Sequence, residues 1–398
     1  MYGLNAVNVL NPFRGQFGLY IDAVSSFFSE SSIIRTSDCA WFDLSDCVWL
    51  LYLVFEAEAQ TSGVQNMIYD VEINSAAHYP AAEVPGLVVL AEQVGFGAFW
   101  KGESNSTDPV VMLSAVASRT KTIKLGTAIY HIYGRSPITL GIQAATLQDL
   151  SGGRLLLGLG VANKSIAGWH GGVFDRPLKR AREYIDIVRK VAAGERVEYE
   201  GEIYQTGKRF QLSWKPGHPN VPVYLAGLGP QMTKLVGKVS DGVFINMATP
   251  AKVKEIAARV REGAAEAGRD PSKIEIIAKS RVSLNPDKQA ARNKLRQVLT
   301  FYNIADHYSD MLRGMGFEKE VNAIHEAFQK GGFKAAMGAL TDDYMDKLPV
   351  VPASDVKEIK EKMKEFEEAG VTRMVIPYVP VTEPVEDARR FLESWGKS

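Results

Sequence analysis

Two glycine clusters are the stretches best able to do chemistry through the backbone alone. "LLLGLGVANKS" spans Leu155 to Ser165, and "YLAGLGPQM" spans Tyr224 to Met232. A tight turn that opens a helix offers unpaired N–H groups and the positive end of a dipole, which together hold an anion such as a phosphate. The second cluster has that form, because Pro230 suits the first turn of a helix and a helical pattern follows it. Ala226, Gly227, Leu228 and Gly229 are therefore the expected phosphate site, with a purely structural turn as the alternative. The first cluster runs into "IAGWHGG", where no helix is expected to start. Asn163 also stands where a dinucleotide fingerprint needs its third glycine, so that reading fails. Its glycines are expected to end a strand tightly and let the backbone approach a ligand.

These residues need elements to hold them, and the chain from Met67 onward supplies a regular alternation. Strand candidates are "MIYDVEI", "FGAFWKGE", "KTIKLGTAIYHI", "RLLLGLG", "VPVYLAG", "DGVFINM", "KIEIIAKSRVSL" and "VTRMVIPYV". Helical patterns separate them, several with a cap and a proline at the first turn, as at Asp108–Pro109. A polar, hairpin-like segment from Glu198 to Pro219 interrupts the series, and a long helical stretch precedes the last strand. Eight strand–helix pairs predict an α/β fold, a (β/α)8 TIM barrel with a helical insertion between strands seven and eight; a doubly wound open sheet is the alternative. In a barrel the chemistry sits at the carboxyl ends of the strands. Those ends carry Glu72, Glu103 with Ser104, Ala128 to His131, Val161 to Lys164, Ala226 to Gly229, and Asn246. Glu72 and Glu103 are the carboxylates placed to move a proton or polarise a substrate, although Glu72 could equally sit in a structural ion pair.

Composition narrows the function classes. The 398 residues carry a formal net charge of zero, which argues against a nucleic-acid binder working through a strongly basic surface. Cys39 and Cys47 make no disulfide framework, and the six histidines show no HxxxH or HExxH spacing, so no metal is expected. Residues 1–66 read differently: they hold no lysine and two arginines against seven acids. Their apolar run "VWLLYLVF" is far shorter than the roughly 20 residues a bilayer span needs. The expectation is a cytoplasmic protein with no membrane partner, a leader over 1–66 that is not native to it, and the barrel domain over 67–398.

From Met67 to Trp395 the chain resembles the bacterial luciferase-like superfamily of flavin- and deazaflavin-dependent oxidoreductases. The resemblance rests on "LAEQVGFGAFW", "SRTKTIKLGTAIYHIYGRSP", "AATLQDLSGGRLLLGLGV", "FDRPLKRAREYI" and "PVYLAGLGPQMTKLVGKVSDGVFIN", in that order. The carboxyl half, with "FKAAMGALTDDYMD", looks most like the methylenetetrahydromethanopterin reductases, which use coenzyme F420. The resemblance implies a luciferase-like barrel and a hydride transfer between coenzyme F420 and a small organic substrate. It also implies a non-prolyl cis peptide at Ala128–Ile129 behind the cofactor ring, and a catalytic acid matching Glu72. Val161, Ala162 and Asn163 would line the cofactor; Ser104, His131, Trp169 and His170 would line the substrate pocket. A homodimer is implied by resemblance only. Two departures stand out. Glu103–Ser104 replaces a common Asp-His pair, and Ser104 cannot serve as a histidine proton shuttle. Asn163, counted with Glu72 and Glu103 among the catalytic residues, replaces a common acid and has no ionisable proton, so it would hydrogen-bond the cofactor's polar edge and leave acid–base work to Glu72 or Glu103. An FMN-dependent monooxygenase and a non-catalytic flavin-binding protein of the same fold are the rival readings.

Overall fold

Asp108, Ser136 and Thr249 each precede a proline and each accept a backbone N–H from three residues on, at Val111, Thr139 and Lys252. Cap and proline together start a helix at a fixed residue after a strand, which is what a strand–helix repeat requires. The computed structural model describes residues 67–73, 79–207 and 209–398, which fall in one compact unit. The expectation of a separate leader over 1–66 lies outside the described residues.

The strands are β1 (Ile68–Ile73), β2 (Ala98–Lys101), β3 (Lys124–Thr127), β4 (Tyr130–His131), β5 (Leu155–Gly160), β6 (Val223–Ala226), β7 (Gly242–Ile245), β8 (Glu275–Lys279), β9 (Arg281–Leu284), β10 (Val350–Ala353) and β11 (Arg373–Tyr378). The helices are α1 (Val84–Gln93), α2 (Pro109–Ala117), α3 (Pro137–Leu150), α4 (Lys164–Trp169), α5 (Pro177–Ala192), α6 (Pro230–Val239), α7 (Pro250–Glu266), α8 (Lys288–Ile304), α9 (Asp306–Leu312), α10 (Glu318–Ala339), α11 (Asp342–Met345), α12 (Val356–Glu368) and α13 (Pro384–Gly396). Pairing runs β1-β2-β3-β5-β6-β7-β8-β11 and returns from β11 to β1, all parallel. The result is a closed (β/α)8 barrel, as the alternation predicted, and not an open sheet. Two barrel strands are broken. β4 resumes β3 beyond the Ala128–Ile129 bond and pairs with β5, and β9 resumes β8 beyond Ser280 and pairs with β11.

Alternation along each strand sends one set of side chains into the lumen and the other against the helices. The lumen is filled by Ala98, Trp100, Leu156, Tyr224, Phe244, Ile277 and Val375. Trp100 packs edge-on to Phe244 at 5.0 Å and to Tyr224 at 5.9 Å. Its indole Nε1 donates to Asp70 Oδ2 at 2.8 Å, and Arg373 donates to both Asp70 oxygens at 2.9 Å. Asp70 thus closes the floor of the lumen. Glu72, two residues on along β1, shares its face and reaches the mouth.

Between β9 and β11 the insertion carries its own core, built on Leu295, Leu299, Leu312, Val321, Ile324 and Tyr344. It is not purely helical: β10 adds a strand beside β9. The polar segment after α5 is a short antiparallel hairpin, bridged at Val197–Phe210 and Glu200–Gln205.

Candidate active site

The peptide between Ala128 and Ile129 is cis. The tip of β5 is shaped to meet it. A Cβ on Gly158 would stand 1.9 Å from the Thr127 carbonyl oxygen, and one on Gly160 would stand 2.3 Å from Ile129 Cδ1 and 3.4 Å from Ala226 Cβ. Only glycine permits that approach. The Thr127 hydroxyl locks the seam, donating to the Gly158 carbonyl at 2.7 Å and accepting from the Gly158 N–H at 2.8 Å. The bulge, the tip of β5 and the tip of β6 are therefore contiguous, and the glycines of "LLLGLG" serve close packing rather than a phosphate.

One expectation is corrected here. A helix, α4, does begin within "NKSIAGW", because Asn163 adopts an extended N-cap conformation and its Oδ1 accepts from Ile166 N at 3.0 Å. The amide side chain satisfies an orphan donor of the first turn, which the glycine-poor spacing did not reveal. Ala162 before it has a left-handed φ of 51°, and Val161, Ala162 and Asn163 are all half-buried. With Oδ1 engaged in the cap, the Nδ2 amide is the part of Asn163 left for a ligand.

At the end of β6, Ala226 lies in the lumen wall and Gly227 packs on Met232, where a Cβ would come to 3.1 Å. Leu228 is half-buried, and Gly229 is exposed and forms the N-cap of α6, with no side chain capping the first turn. The first-turn N–H groups of this ten-residue helix stay available to an anion beside the cis-peptide bulge.

Glu72 is buried at the mouth and pairs with Lys279 of β8, Nζ to Oε2 at 2.5 Å, in an ion contact without hydrogen-bond alignment. The same ammonium donates to the Ala128 carbonyl at 3.3 Å and lies 5.1 Å from the centre of the Phe244 ring. Lys279 therefore ties the acid to the cis peptide. Lys101 is also buried and donates to Ser106 Oγ at 3.2 Å. Burial lowers its pKa, with the charge of Glu72 working against that shift. Ser104 is exposed and donates to Ser106 at 3.4 Å.

Glu103 has both oxygens engaged. Oε2 accepts the His131 backbone N–H at 3.1 Å and stands 3.1 Å from His131 Nε2, while Oε1 meets Arg135 at 2.5 Å. Arg135 continues to Asp108 at 2.6 Å and lies 4.3 Å over the Tyr130 ring. His131 is 4% exposed, and burial pushes its imidazole below the ordinary histidine range. The His170 ring lies 4.5 Å from it, exposed at the carboxyl end of α4 beside Trp169.

At Asn246, named among the strand ends, the partners were missed by motif reasoning. Arg281 is 3% exposed; it donates to Asn246 Oδ1 at 3.0 Å and to the Tyr302 hydroxyl, and lies 4.3 Å over the Tyr302 ring. Asn246 in turn donates to Tyr308 at 2.9 Å. Lys279 and Arg281 fall inside a stretch read only as a strand, and the tyrosines arrive from the insertion. Among the described residues no group of three or more His, Cys, Asp or Glu could hold a metal, and no helix is long and apolar enough to cross a membrane.

The model of the luciferase-like monooxygenase family matches residues 61–373. A 5,10-methylenetetrahydromethanopterin reductase of Archaeoglobus fulgidus is 32% identical over 299 residues, covering 74% of this chain and 88% of the relative. A putative coenzyme F420-dependent oxidoreductase of Mycobacterium tuberculosis is 31% identical over 310 residues, 73% of this chain and 89% of the relative. Among solved structures, the coenzyme F420 dependent tetrahydromethanopterin reductase of Methanopyrus kandleri superposes with a TM-score of 0.70 at 25% identity, covering 83% of this chain and 98% of that one.

Proposed function

The chain belongs to the luciferase-like monooxygenase family, and from that membership we propose that it is an oxidoreductase transferring a hydride between coenzyme F420 and a small organic substrate. The curated relatives named for this coenzyme or for methylenetetrahydromethanopterin reduction support the reading. The observation that carries it in the structure is the contiguity of three features at the barrel mouth. These are the cis-peptide bulge, the glycine tip of β5 that admits it, and the uncapped first turn of α6.

These residues fit a flat ring with a phosphate-bearing tail. The Ala226–Gly229 turn would hold the phosphate through its amides; Ala128, Ile129, Gly160, Val161 and Ala162 would form the wall behind the ring. When bound, the deazaflavin supplies a hydride carried on carbon. The chain's own part is to fix the acceptor against that carbon, exclude water, and handle the accompanying proton. Glu72 would polarise the substrate from the barrel mouth. Its carboxylate sits at the mouth, where a Cβ on Gly102 would come within 3.8 Å of Oε1, and Lys279 keeps it oriented. Asn163 and His131 lie at the ends of the neighbouring strands β5 and β4. In the same reading the enzyme works as a cytoplasmic homodimer on a small-molecule substrate.

A binding titration tests the cofactor. Purified protein titrated with oxidised coenzyme F420 and, separately, with FMN should bind the deazaflavin and take up FMN far more weakly. Tight binding of FMN alone would replace this reading with a flavin monooxygenase.

A further inference from the structure

The Glu103–His131 contact does more than brace a loop, because it sets a carboxylate beside one imidazole nitrogen and leaves the other buried without a partner. Glu103 Oε2 stands 3.1 Å from Nε2, an ion contact without hydrogen-bond alignment, and a carboxylate on that side favours the tautomer with its ring proton on Nε2. Arg135 and the His131 backbone N–H hold that carboxylate in place. Nδ1 is left as a bare acceptor: it is buried and has no hydrogen-bond partner among the described residues. A structural histidine in a folded core normally has both nitrogens satisfied.

The space facing Nδ1 is defined by a missing side chain. A Cβ on Gly134 would lie 3.4 Å from His131 Nδ1 and 3.4 Å from His170 Nδ1, so the two nitrogens converge on one small gap. The His170 side chain makes no hydrogen bond among the described residues and is exposed, so a ligand can displace it at little cost. His131 also follows the cis peptide by two residues and pairs with Gly160 at the tip of β5, next to the proposed ring wall.

We propose that His131 is a catalytic residue whose Nδ1 takes a proton from a substrate O–H or N–H, with Glu103 and Arg135 as its positioning residues. The proposal rests on the hydride-transfer reading above. In the oxidising direction the substrate loses a hydride from carbon to the oxidised coenzyme and a proton from its heteroatom to Nδ1. The electrons of the broken O–H or N–H bond form the new C=O or C–N bond. In the reducing direction the same proton returns from Nδ1. The substrate class is thus one in which an ionisable O–H or N–H accompanies the carbon that exchanges hydride.

His131→Gln tests this, because a glutamine amide can still donate to Glu103 while Nδ1 is gone. The probes are 2-propanol and the N-methyl, reduced form of tetrahydromethanopterin, each offered with oxidised coenzyme F420 to the full chain. The expected result is turnover of one probe by the parent, a fall in kcat of at least about 100-fold in His131→Gln, and unchanged coenzyme affinity. Long-range ¹H–¹⁵N spectra of the parent should show His131 as the Nε2–H tautomer at neutral pH. A smaller than threefold fall in kcat, an Nδ1–H tautomer, or no turnover of either probe by a coenzyme-binding parent would overturn the proposal. Failure to bind coenzyme F420 at all would overturn the functional reading instead. If His131→Gln does not fold, Gly134→Ala serves: its methyl occupies the gap at ordinary contact distance and should raise KM at least tenfold. An unchanged KM there would overturn the proposal too.

Discussion

Lys279 is the residue on which the mouth depends most, because it neutralises a buried carboxylate and also grips the cis-peptide carbonyl. Breaking a buried pair by removing one partner leaves an uncompensated charge, at a cost of about 3–5 kcal/mol. Lys279→Met should therefore lower stability to urea by that order. The double variant Glu72→Gln with Lys279→Met, which removes both charges, should recover most of the loss. A double variant as unstable as the sum of the singles would show that the two residues are not coupled. Glu72 was legible in the sequence as an acid at the end of the first barrel strand, and the ion pair weighed there as its alternative is the one the structure shows, with Lys279. Lys279 itself was not legible. Parallel barrel strands are buried on both faces, so "IIAKSRV" shows no alternation to say which side chains enter the lumen. Glu103 was found as a carboxylate and His131 as a pocket residue. Their contact needed the turn after the cis peptide, which brings residues 28 apart to 3.1 Å.

Elements here are joined by single side chains that satisfy several amides at once. Glu92, near the end of α1, accepts the backbone N–H groups of Lys121, Thr122 and Ile123 at 2.8, 2.6 and 2.9 Å, plus the Thr122 hydroxyl at 3.0 Å. Desolvation opposes ionisation, but these donors outweigh it and bring the carboxyl down to about 2 from an ordinary 4.5. A carboxyl whose folded pKa is depressed contributes fully above its unfolded pKa and loses that contribution as pH falls through the folded value. Glu92→Gln keeps the acceptor oxygen and loses only the charge, so it should cost about 1–2 kcal/mol at pH 7. Thermal melts should show the difference shrinking between pH 4.5 and pH 2; a difference constant across that window would disprove the charge-assisted role. Glu92 sits in the recognised segment "LAEQVG", yet nothing local marks it as a clamp, because its partners lie about 30 residues on. The same limit hid α4. A lone Asn163 reads as a broken glycine motif until its side chain is seen capping Ile166.

At the scale of the molecule, the alternation of eight strands and helices was readable because caps and prolines punctuate it, as at Ser136–Pro137 and Thr249–Pro250. Closure was favoured by eight units whose strands end in polar or glycine loops, with the open sheet kept as the alternative. An open sheet and a barrel share the same repeat, and the register of β1 on β11, from Ile68 opposite Arg373 to Ile73 opposite Tyr378, is what shows the ring closed. That closure begins almost at Met67, whose N–H donates to Glu367 at 3.0 Å. In a chain starting at Met67 the terminal ammonium would face the same carboxylate, so the change of terminus leaves this contact favourable. All eight barrel strands, the insertion core and each described site residue lie between Met67 and Ser398. A fragment of residues 67–398 should therefore unfold in one cooperative transition and bind coenzyme F420 within about threefold of the full chain, a difference under about 1 kcal/mol. Circular-dichroism melts and the coenzyme titration on both proteins check this. An aggregated fragment, or one that folds and has lost the coenzyme, would mean that residues 1–66 complete the barrel or its site.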